Sequence, residues 1–218
     1  MLYLVATPIG DYSEISIRAL DILKDCDVVV CESTKEASKF LRSHGITGKT
    51  YEILDEHSTP EDKRALVPLC LEKKVALVTD CGTPGFCDPG ADLVKLCRQQ
   101  NIPVKTVLGA SALMGLLSLS GQRLDQFVFR GFLPAETEAR AQSLKDLTKE
   151  KRAIIIMDTP YRLKKTLSDM NDHFSDRRFL LALNLTQEDE AVIEGTIDTL
   201  LYKNKFDKAE FMLLIYPA

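Results

Sequence analysis

The chain has 218 residues, of which 45% are hydrophobic and 28% charged, values typical of a globular protein with a substantial core. No apolar run approaches the roughly 20 residues of a membrane-spanning helix, and the net charge of −4 argues against a generally basic nucleic-acid-binding protein. Because the amino terminus lacks the basic segment of a signal peptide, we expect a first strand there and a cytoplasmic location.

Strands and helices alternate regularly over the first half of the chain. Predicted strands cover residues 2–6, 28–31, 50–54, 75–79 and 104–107, and predicted helices cover 16–24, a segment ending near 43, 61–72, 92–100 and 111–119. The strands are continuous apolar runs, which is typical of parallel strands buried on both faces. The pattern predicts an α/β fold with a parallel sheet and helices on both faces.

The second half has shorter connections between its predicted elements. Strands are predicted at residues 127–129, 153–157, 179–185, 191–194 and 210–216, with helices at 136–149 and 161–174. Tight connections favour a mixed, partly antiparallel sheet. We therefore predict two lobes, residues 1–121 and 122–218, with a cleft between them.

Cysteine and histidine are spread along the chain in a way that does not favour metal binding. There are six cysteines and three histidines, and no two cysteines form a CxxC pair. The sequence therefore predicts no metal site. In a reducing compartment we expect most of the cysteines to be small buried hydrophobes, with Cys81 and Cys87 as the exceptions.

Three short basic runs qualify the acidic balance of the chain. They occupy residues 149–152, 162–165 and 177–178. Two interpretations stay open for each run: a local basic patch for nucleic acid, or a solvated helix face or strand edge.

The run from Val75 to Gly90 predicts a buried strand that ends in a long, constrained loop. Four apolar or β-prone residues lead into a segment that contains three glycines and two prolines. Glycine lets a ligand approach the backbone closely, while proline limits the mobility of the loop. In α/β sheets, ligands bind outside the carboxyl ends of the strands. Asp80 and Asp88 are therefore the first candidates for chemistry.

Four loops follow strands of the first lobe and are expected at one sheet edge: residues 7–10, 32–35, 80–90 and 108–112. Their small residues and helix-starting hydroxyl groups indicate close backbone contact with a polar ligand. The GxGxxG fingerprint and the P-loop are absent, which argues against NAD and ATP as ligands. The serine-hydrolase motif Gly-X-Ser-X-Gly is absent as well.

These motifs resemble the S-adenosylmethionine-dependent tetrapyrrole methylase superfamily. The matching segments are residues 2–10, 32–35, 80–85, 88–90, 109–112, 131–134 and 159–162. The run Asp-X-Gly-Thr-Pro-Gly-X-X-Asp-Pro-Gly is the specific one, and the others are weak when taken singly. Within the superfamily, the chain is most similar to the branch of 16S rRNA cytidine ribose 2′-O-methyltransferases.

The resemblance implies a two-lobed fold, usually a homodimer, with S-adenosyl-L-methionine in the cleft and 16S rRNA or the 30S subunit as partner. By analogy, the cofactor contacts in the first lobe and the adjoining turn are Pro8, Gly10, Asp80, Gly82, Thr83, Pro84, Gly109, Ser111 and Ala112. In the second lobe, the resemblance places Met157, Leu183 and Met212 around the adenine.

The chain departs from the usual pattern of that branch at positions expected to face the substrate. Asp11 replaces an Asn, Lys35 replaces an Arg, and Gln187 replaces a Lys. Lys is a poorer bidentate partner than Arg, and Gln carries no charge, so phosphate contacts would be weaker. Three functions therefore stay open: an rRNA methyltransferase, a related methyltransferase acting on a tetrapyrrole or another macromolecule, and a non-catalytic protein that binds the cofactor.

Three residues are candidates for the chemistry of methyl transfer. A ribose hydroxyl is weakly acidic, and Glu32 and Asp80 are the candidate bases. Lys35 is the candidate that steadies a phosphate or a developing alkoxide. For Glu32 the alternative is a carboxylate favoured by a helix N-terminus. For His57 the alternatives are a substrate contact and an exposed loop residue.

Overall fold

Five parallel strands form the first sheet of the computed structural model, which describes residues 1–218. They are β1 (Leu2–Val5), β2 (Val28–Cys31), β3 (Thr50–Ile53), β4 (Val75–Leu77) and β5 (Val104–Val107). Their order is β3-β2-β4-β1-β5, and every neighbouring pair is parallel. Strands β2 and β4 are buried along their whole length, as the continuous apolar runs predicted.

Helices cover both faces of this sheet, which confirms the predicted architecture. They are α1 (Ile17–Asp25), α2 (Thr34–Ser43), α3 (Pro60–Ala65), α4 (Val67–Glu72) and α5 (Ala91–Gln99). Successive residues of β2 point to opposite faces, so Val29 packs with the core beneath α1 and α2, while Val30 packs with the core beneath α4 and α5.

The single helix predicted over residues 61–72 is two short helices in the structure. The first begins at a capping box formed by Thr59 and Asp62, and it ends at Leu66. Pro68 lies in the first turn of the second helix. Proline has no N–H to continue a helix, and it is tolerated in a first turn where that N–H has no partner. The chain therefore starts a new helix at this point.

The second sheet is mixed, as predicted. Its strands are β6 (Phe127–Gly131), β7 (Ala153–Asp158), β8 (Phe179–Leu183), β9 (Ala191–Gly195) and β10 (Phe211–Ile215), in the order β6-β7-β10-β8-β9. The pair β6 and β7 is parallel, and the other three pairs are antiparallel.

Four helices accompany the second sheet: α6 (Ala112–Leu119), α7 (Thr137–Leu147), α8 (Leu163–His173) and α9 (Ile197–Lys203). Helix α9 was not predicted from the sequence. Its start is marked by Thr196, whose side chain accepts a hydrogen bond from the N–H of Thr199. Only two of its residues, Ile197 and Leu200, are buried, so the apolar pattern is too short to indicate a helix in the sequence.

The chain divides into two units, Met1–Ser111 and Ala112–Ala218. The predicted boundary at Gly121 lies further along, after helix α6. This helix groups with the second unit because Leu116 is fully buried in a cluster with residues of β7, β8 and β10. The division into one lobe of residues 1–121 and a second lobe of residues 122–218 stays a prediction.

Two further observations concern composition. No helix of the structure combines the length and the apolar character that a bilayer span requires. Four of the six cysteines are buried, and only Cys81 and Cys87 are exposed, as expected from their places in the sequence.

Candidate active site

The carboxyl ends of four adjacent strands lie at one edge of the first sheet. Strands β2, β4, β1 and β5 follow one another in the sheet and run in the same direction. Each is followed by one of the four loops singled out in the sequence. The loop that begins after β4 therefore has the ends of β1 and β2 on its two sides.

Hydrogen bonds join this loop to the loops after β1 and β5. The N–H of Thr7 donates to the carbonyl of Gly82 over 2.9 Å, and the N–H of Gly82 donates back to the carbonyl of Thr7 over 3.1 Å. The hydroxyl of Thr83 donates to the carbonyl of Ala110 over 3.3 Å. The three loops are thus one hydrogen-bonded assembly.

The loop after β5 approaches the end of β1 closely at Gly109. A Cβ atom added to Gly109 would lie 3.0 Å from the Cβ of Ala6 and 3.3 Å from its carbonyl oxygen. A larger residue would require the contact to open by a few tenths of an ångström, so glycine suits this close approach.

Three carboxyl groups, Glu32, Asp80 and Asp88, form an acidic cluster in this assembly. Glu32 follows β2, and its carboxylate accepts a hydrogen bond from the hydroxyl of Thr79. The same oxygen accepts the backbone N–H of Asp80 over 3.4 Å. Glu32 thereby joins the end of β2 to the start of the loop after β4.

Two carboxyl groups of the cluster, Asp80 and Asp88, have raised pKa values. Burial raises the pKa of Asp80, and the charges of Glu32 and Glu36 raise it further. Burial also raises the pKa of Asp88, to about 6, the charges of Glu32 and Asp80 raise it further, and the nearby hydroxyl of Thr79 opposes the shift. No cation is among the groups that shift either pKa. The site is therefore suited to a positively charged ligand.

Replacing Asp88 by Asn is expected to stabilise the protein at neutral pH. The folded-state pKa of Asp88, about 6, lies above its ordinary value of 3.8, so folding favours the protonated form. The wild-type protein then loses stability as the pH rises from about 4 through about 6. The gain of Asp88→Asn should be absent near pH 4 and largest above pH 7, as measured by thermal unfolding over this range.

A matched control for this prediction is Asp92→Asn, in the same chain segment. The hydrogen bond from Lys63 lowers the pKa of Asp92. Its removal should therefore leave stability unchanged or slightly reduce it at neutral pH. A gain for Asp88→Asn that is equal at pH 4 and pH 8 would contradict the electrostatic origin.

The structure also locates the other first-unit residues predicted from the sequence. Pro8, Gly82 and Pro84 are buried, whereas Gly10, Thr83 and Ser111 are half-buried. Lys35 is exposed in the first turn of α2, and Ser33 caps that helix by accepting the N–H of Glu36. His57 is exposed, with Nε2 3.6 Å from the carboxylate of Glu56. Their proposed roles stay predictions.

The three residues predicted around the adenine do not share one face of the second sheet. Met157 and Met212 are directly paired across β7 and β10, so their side chains lie on the same face. Leu183 pairs with Phe211, and its side chain packs in the core on the opposite face. Only the main chain of Leu183 is therefore available on the face of the two methionines. Ala112 is the first residue of α6 and packs against the buried cluster that contains Met212 and contacts Met157.

Sequence reasoning missed the role of Thr79. This residue is only 5% exposed, and its hydroxyl donates a hydrogen bond to the carboxylate of Glu32. A polar residue directly before Asp80, at the end of an otherwise apolar strand, was the available signal. The predicted strand 75–79 includes this residue because threonine is common in strands, whereas β4 ends at Leu77.

Comparisons with known proteins agree with the fold and with the motifs. The sequence model of the family described as Tetrapyrrole (Corrin/Porphyrin) Methylases matches residues 1–201. A relative from Synechocystis sp., named Ribosomal RNA small subunit methyltransferase I, is 37% identical over 100% of this chain and 79% of its own length. Its namesake from Neisseria meningitidis serogroup B is 34% identical over 100% of this chain and 76% of its own length.

Solved structures of other proteins share the fold at low sequence identity. Diphthine synthase superposes with a TM-score of 0.77 at 14% identity, covering 99% of this chain and 89% of that one. A cobalamin biosynthetic enzyme, cobalt precorrin-4 methyltransferase, gives a TM-score of 0.69 at 20% identity, covering 99% and 94%. At these identities the likeness shows the fold alone.

Proposed function

The chain belongs to the tetrapyrrole (corrin/porphyrin) methylase family and is an S-adenosylmethionine-dependent methyltransferase, and we propose that it methylates a ribose 2′-hydroxyl of 16S rRNA. The similarity to relatives named Ribosomal RNA small subunit methyltransferase I carries this proposal, because it extends over 100% of the chain. The acidic strand-end cluster and the loops around it supply chemistry that suits the reaction.

The residues at the strand ends fit the cofactor in charge and in shape. S-adenosylmethionine supplies an electrophilic methyl group on a sulfonium centre and also carries an ammonium group. Glu32, Asp80 and Asp88 present three carboxyl groups together, and the groups that shift the pKa of Asp80 and of Asp88 include no cation. The linked loops offer exposed or half-buried residues at Asp80, Thr83 and Gly109, where a ligand can approach.

We propose that the first-unit residues predicted from the sequence hold the methionine and ribose parts of the cofactor. These are Pro8, Gly10, Asp80, Gly82, Thr83, Pro84, Gly109 and Ser111. For the second unit, the proposal is that Met157 contributes apolar surface to the adenine, with Ala112 in the same cluster and Leu183 contributing through its main chain. Met212 is only 3% exposed, so its part would be to support Met157 from the paired strand.

For the proton of the ribose hydroxyl, Asp80 is the better candidate base of the two carboxylates. Its side chain is exposed to an incoming substrate, and its raised pKa lies nearer to neutral pH than that of an ordinary Asp. Glu32 already accepts the hydroxyl of Thr79 and the N–H of Asp80. We therefore propose that Glu32 positions Asp80, and that Lys35 steadies a substrate phosphate.

The proposal includes a cytoplasmic homodimer. The family resemblance supports the dimer, and a ribosomal substrate supports the location. Light scattering of the purified protein should give twice the mass of the chain.

The direct experiment offers labelled S-adenosylmethionine and 30S subunits that lack the modification. Label should enter 16S rRNA. A parallel reaction with a tetrapyrrole tests the alternative substrate class, which the substitutions at Lys35 and Gln187 favour. Label in the tetrapyrrole alone would overturn the rRNA proposal, and cofactor binding without transfer to any acceptor would indicate a non-catalytic relative.

A further inference from the structure

Hydrogen bonds to the buried carboxylate of Asp158 hold the turn that follows β7. Asp158 is buried, and one oxygen of its carboxylate accepts the N–H of Thr159 over 2.9 Å and a guanidinium N–H of Arg162 over 3.2 Å. The other oxygen accepts Arg140 over 3.1 Å. The single 3-10 turn Pro160–Arg162 is therefore fixed to the end of its strand.

Tyr161 lies at the tip of this fixed turn, and its side chain extends into solvent. It is 78% exposed, although both of its neighbours are only half-exposed. The ammonium of Lys208 lies 3.9 Å from the centroid of its ring, which is a cation–π contact. Exposed tyrosines are common in proteins. Tyr161 differs because hydrogen bonds fix its turn to β7 and a lysine ammonium lies over one face of its ring.

The loop that carries Lys208 is also held in place. Asn204 and Phe206 exchange two hydrogen bonds of 3.0 Å. Asp207 pairs with Lys164 of α8 over 2.6 Å. This exposed ion pair links the loop to the helix that follows the Tyr161 turn, and Lys208 is the next residue of the loop.

The surroundings of the pair are basic in an acidic chain. Residues 161–165 and 203–208 together contain six basic residues and one acidic residue, while the whole chain has a net charge of −4. Arg162 is paired with Asp158, Lys164 with Asp207, and Lys165 with Asp169. Lys205 and Lys208 are exposed. Both interpretations of the 162–165 run, a basic patch for nucleic acid or a solvated helix face, stay predictions.

We propose that Tyr161 and Lys208 form a platform for one nucleotide of a single-stranded RNA segment in the substrate. A base stacks on the open face of the Tyr161 ring, and Lys208 polarises the ring and attracts the adjoining phosphate. Aromatic rings stack on bases of any sequence, and lysines bind phosphates without reading sequence. The platform binds substrate and takes no part in the transfer of the methyl group. This inference rests on the proposed function, because it assumes an RNA acceptor.

The test compares Tyr161→Ala, Tyr161→Phe and Lys208→Ala with the wild-type protein. The probe is a fluorescent single-stranded RNA dodecamer of mixed sequence, and binding is followed by anisotropy. Tyr161→Ala should weaken binding about 5- to 100-fold, since a stacked base contributes on that scale. Tyr161→Phe should bind like wild type. Lys208→Ala should reduce the slope of log K against log salt by about 0.7, the value for one phosphate contact on a single strand.

The control is Tyr202→Ala, since Tyr202 is 89% exposed on α9 and has no cation over its ring. It should bind RNA like wild type. Equal losses for Tyr161→Ala and Tyr202→Ala, or no loss for Tyr161→Ala, would overturn the platform. Calorimetry with S-adenosylmethionine should give the same affinity for Tyr161→Ala as for wild type, and a loss there would make Tyr161 a cofactor contact instead.

Transfer to undermodified 30S subunits separates this inference from the proposed function. If both hold, Tyr161→Ala raises the KM for 30S subunits and leaves kcat nearly unchanged. A wild-type protein that binds the cofactor and leaves 16S rRNA unlabelled would overturn the proposed function. The RNA-binding comparison would still decide the platform in that case, because it does not depend on transfer.

Discussion

Asp80→Asn is expected to reduce the kcat of methyl transfer by about 10²- to 10⁴-fold, the usual contribution of a general base. Asn occupies nearly the same space and keeps the backbone N–H that bonds Glu32. It cannot accept the proton of the ribose hydroxyl. Steady-state transfer to 30S subunits measures the effect, and calorimetry with S-adenosylmethionine shows whether cofactor binding survives. A kcat within about threefold of wild type would remove Asp80 as the base.

Glu32 is expected to influence the pH profile of kcat through the pKa of Asp80. Burial raises the pKa of Asp80, and the charge of Glu32 adds to that effect. Glu32→Gln removes the charge but leaves an oxygen that accepts Thr79 and the N–H of Asp80. The pKa of Asp80 should then fall, so the acidic limb of the kcat profile should move to lower pH. Glu72→Gln, at the end of α4, is the control and should leave the profile unchanged.

Arg140→Ala is expected to lower the free energy of unfolding by about 3–5 kcal/mol, the cost of breaking a buried ion pair from one side. Arg140 is 2% exposed. Its guanidinium donates to Asp169 over 2.7 Å, to Asp158 over 3.1 Å and to Thr166 over 2.9 Å. Its loss leaves one oxygen of the fully buried Asp158 without its cation. Urea unfolding followed by circular dichroism measures the change.

The matched control for Arg140→Ala is Arg123→Ala. Arg123 also pairs with an aspartate, Asp125, over 2.9 Å, but its side chain is 88% exposed. Solvent screens such a pair, so its removal should cost less than about 1 kcal/mol. Similar losses for the two variants would show that burial does not set the cost at Arg140.

The centre of the first sheet could be predicted from the sequence because strands β2 and β4 are buried on both faces. Val28 to Cys31 and Val75 to Val78 are uninterrupted apolar runs, and each is followed by a polar loop. Parallel order then places these loops at one edge, which is where Glu32 and Asp80 meet through the N–H of Asp80. Local sequence and the direction of the strands suffice for this part of the site.

Other features depend on contacts that a linear pattern does not encode. The face to which Leu183 points follows from its pairing with Phe211, and a shift of one residue would reverse it. Thr79 and Glu32 are 47 positions apart, so their hydrogen bond depends on β2 and β4 being neighbours. The break between α3 and α4 at Leu66 is different. Pro68 is a local signal for it, but the apolar periodicity over residues 61–72 predicts one continuous helix.

The most direct test of the account is the identity of the nucleoside that receives the methyl group. Undermodified 30S subunits are incubated with the wild-type protein and labelled S-adenosylmethionine, and the 16S rRNA is digested to nucleosides for mass spectrometry. We expect label in a 2′-O-methylated nucleoside, and little label with Asp80→Asn. Label on a base, or none in 16S rRNA while the protein binds the cofactor, would contradict it.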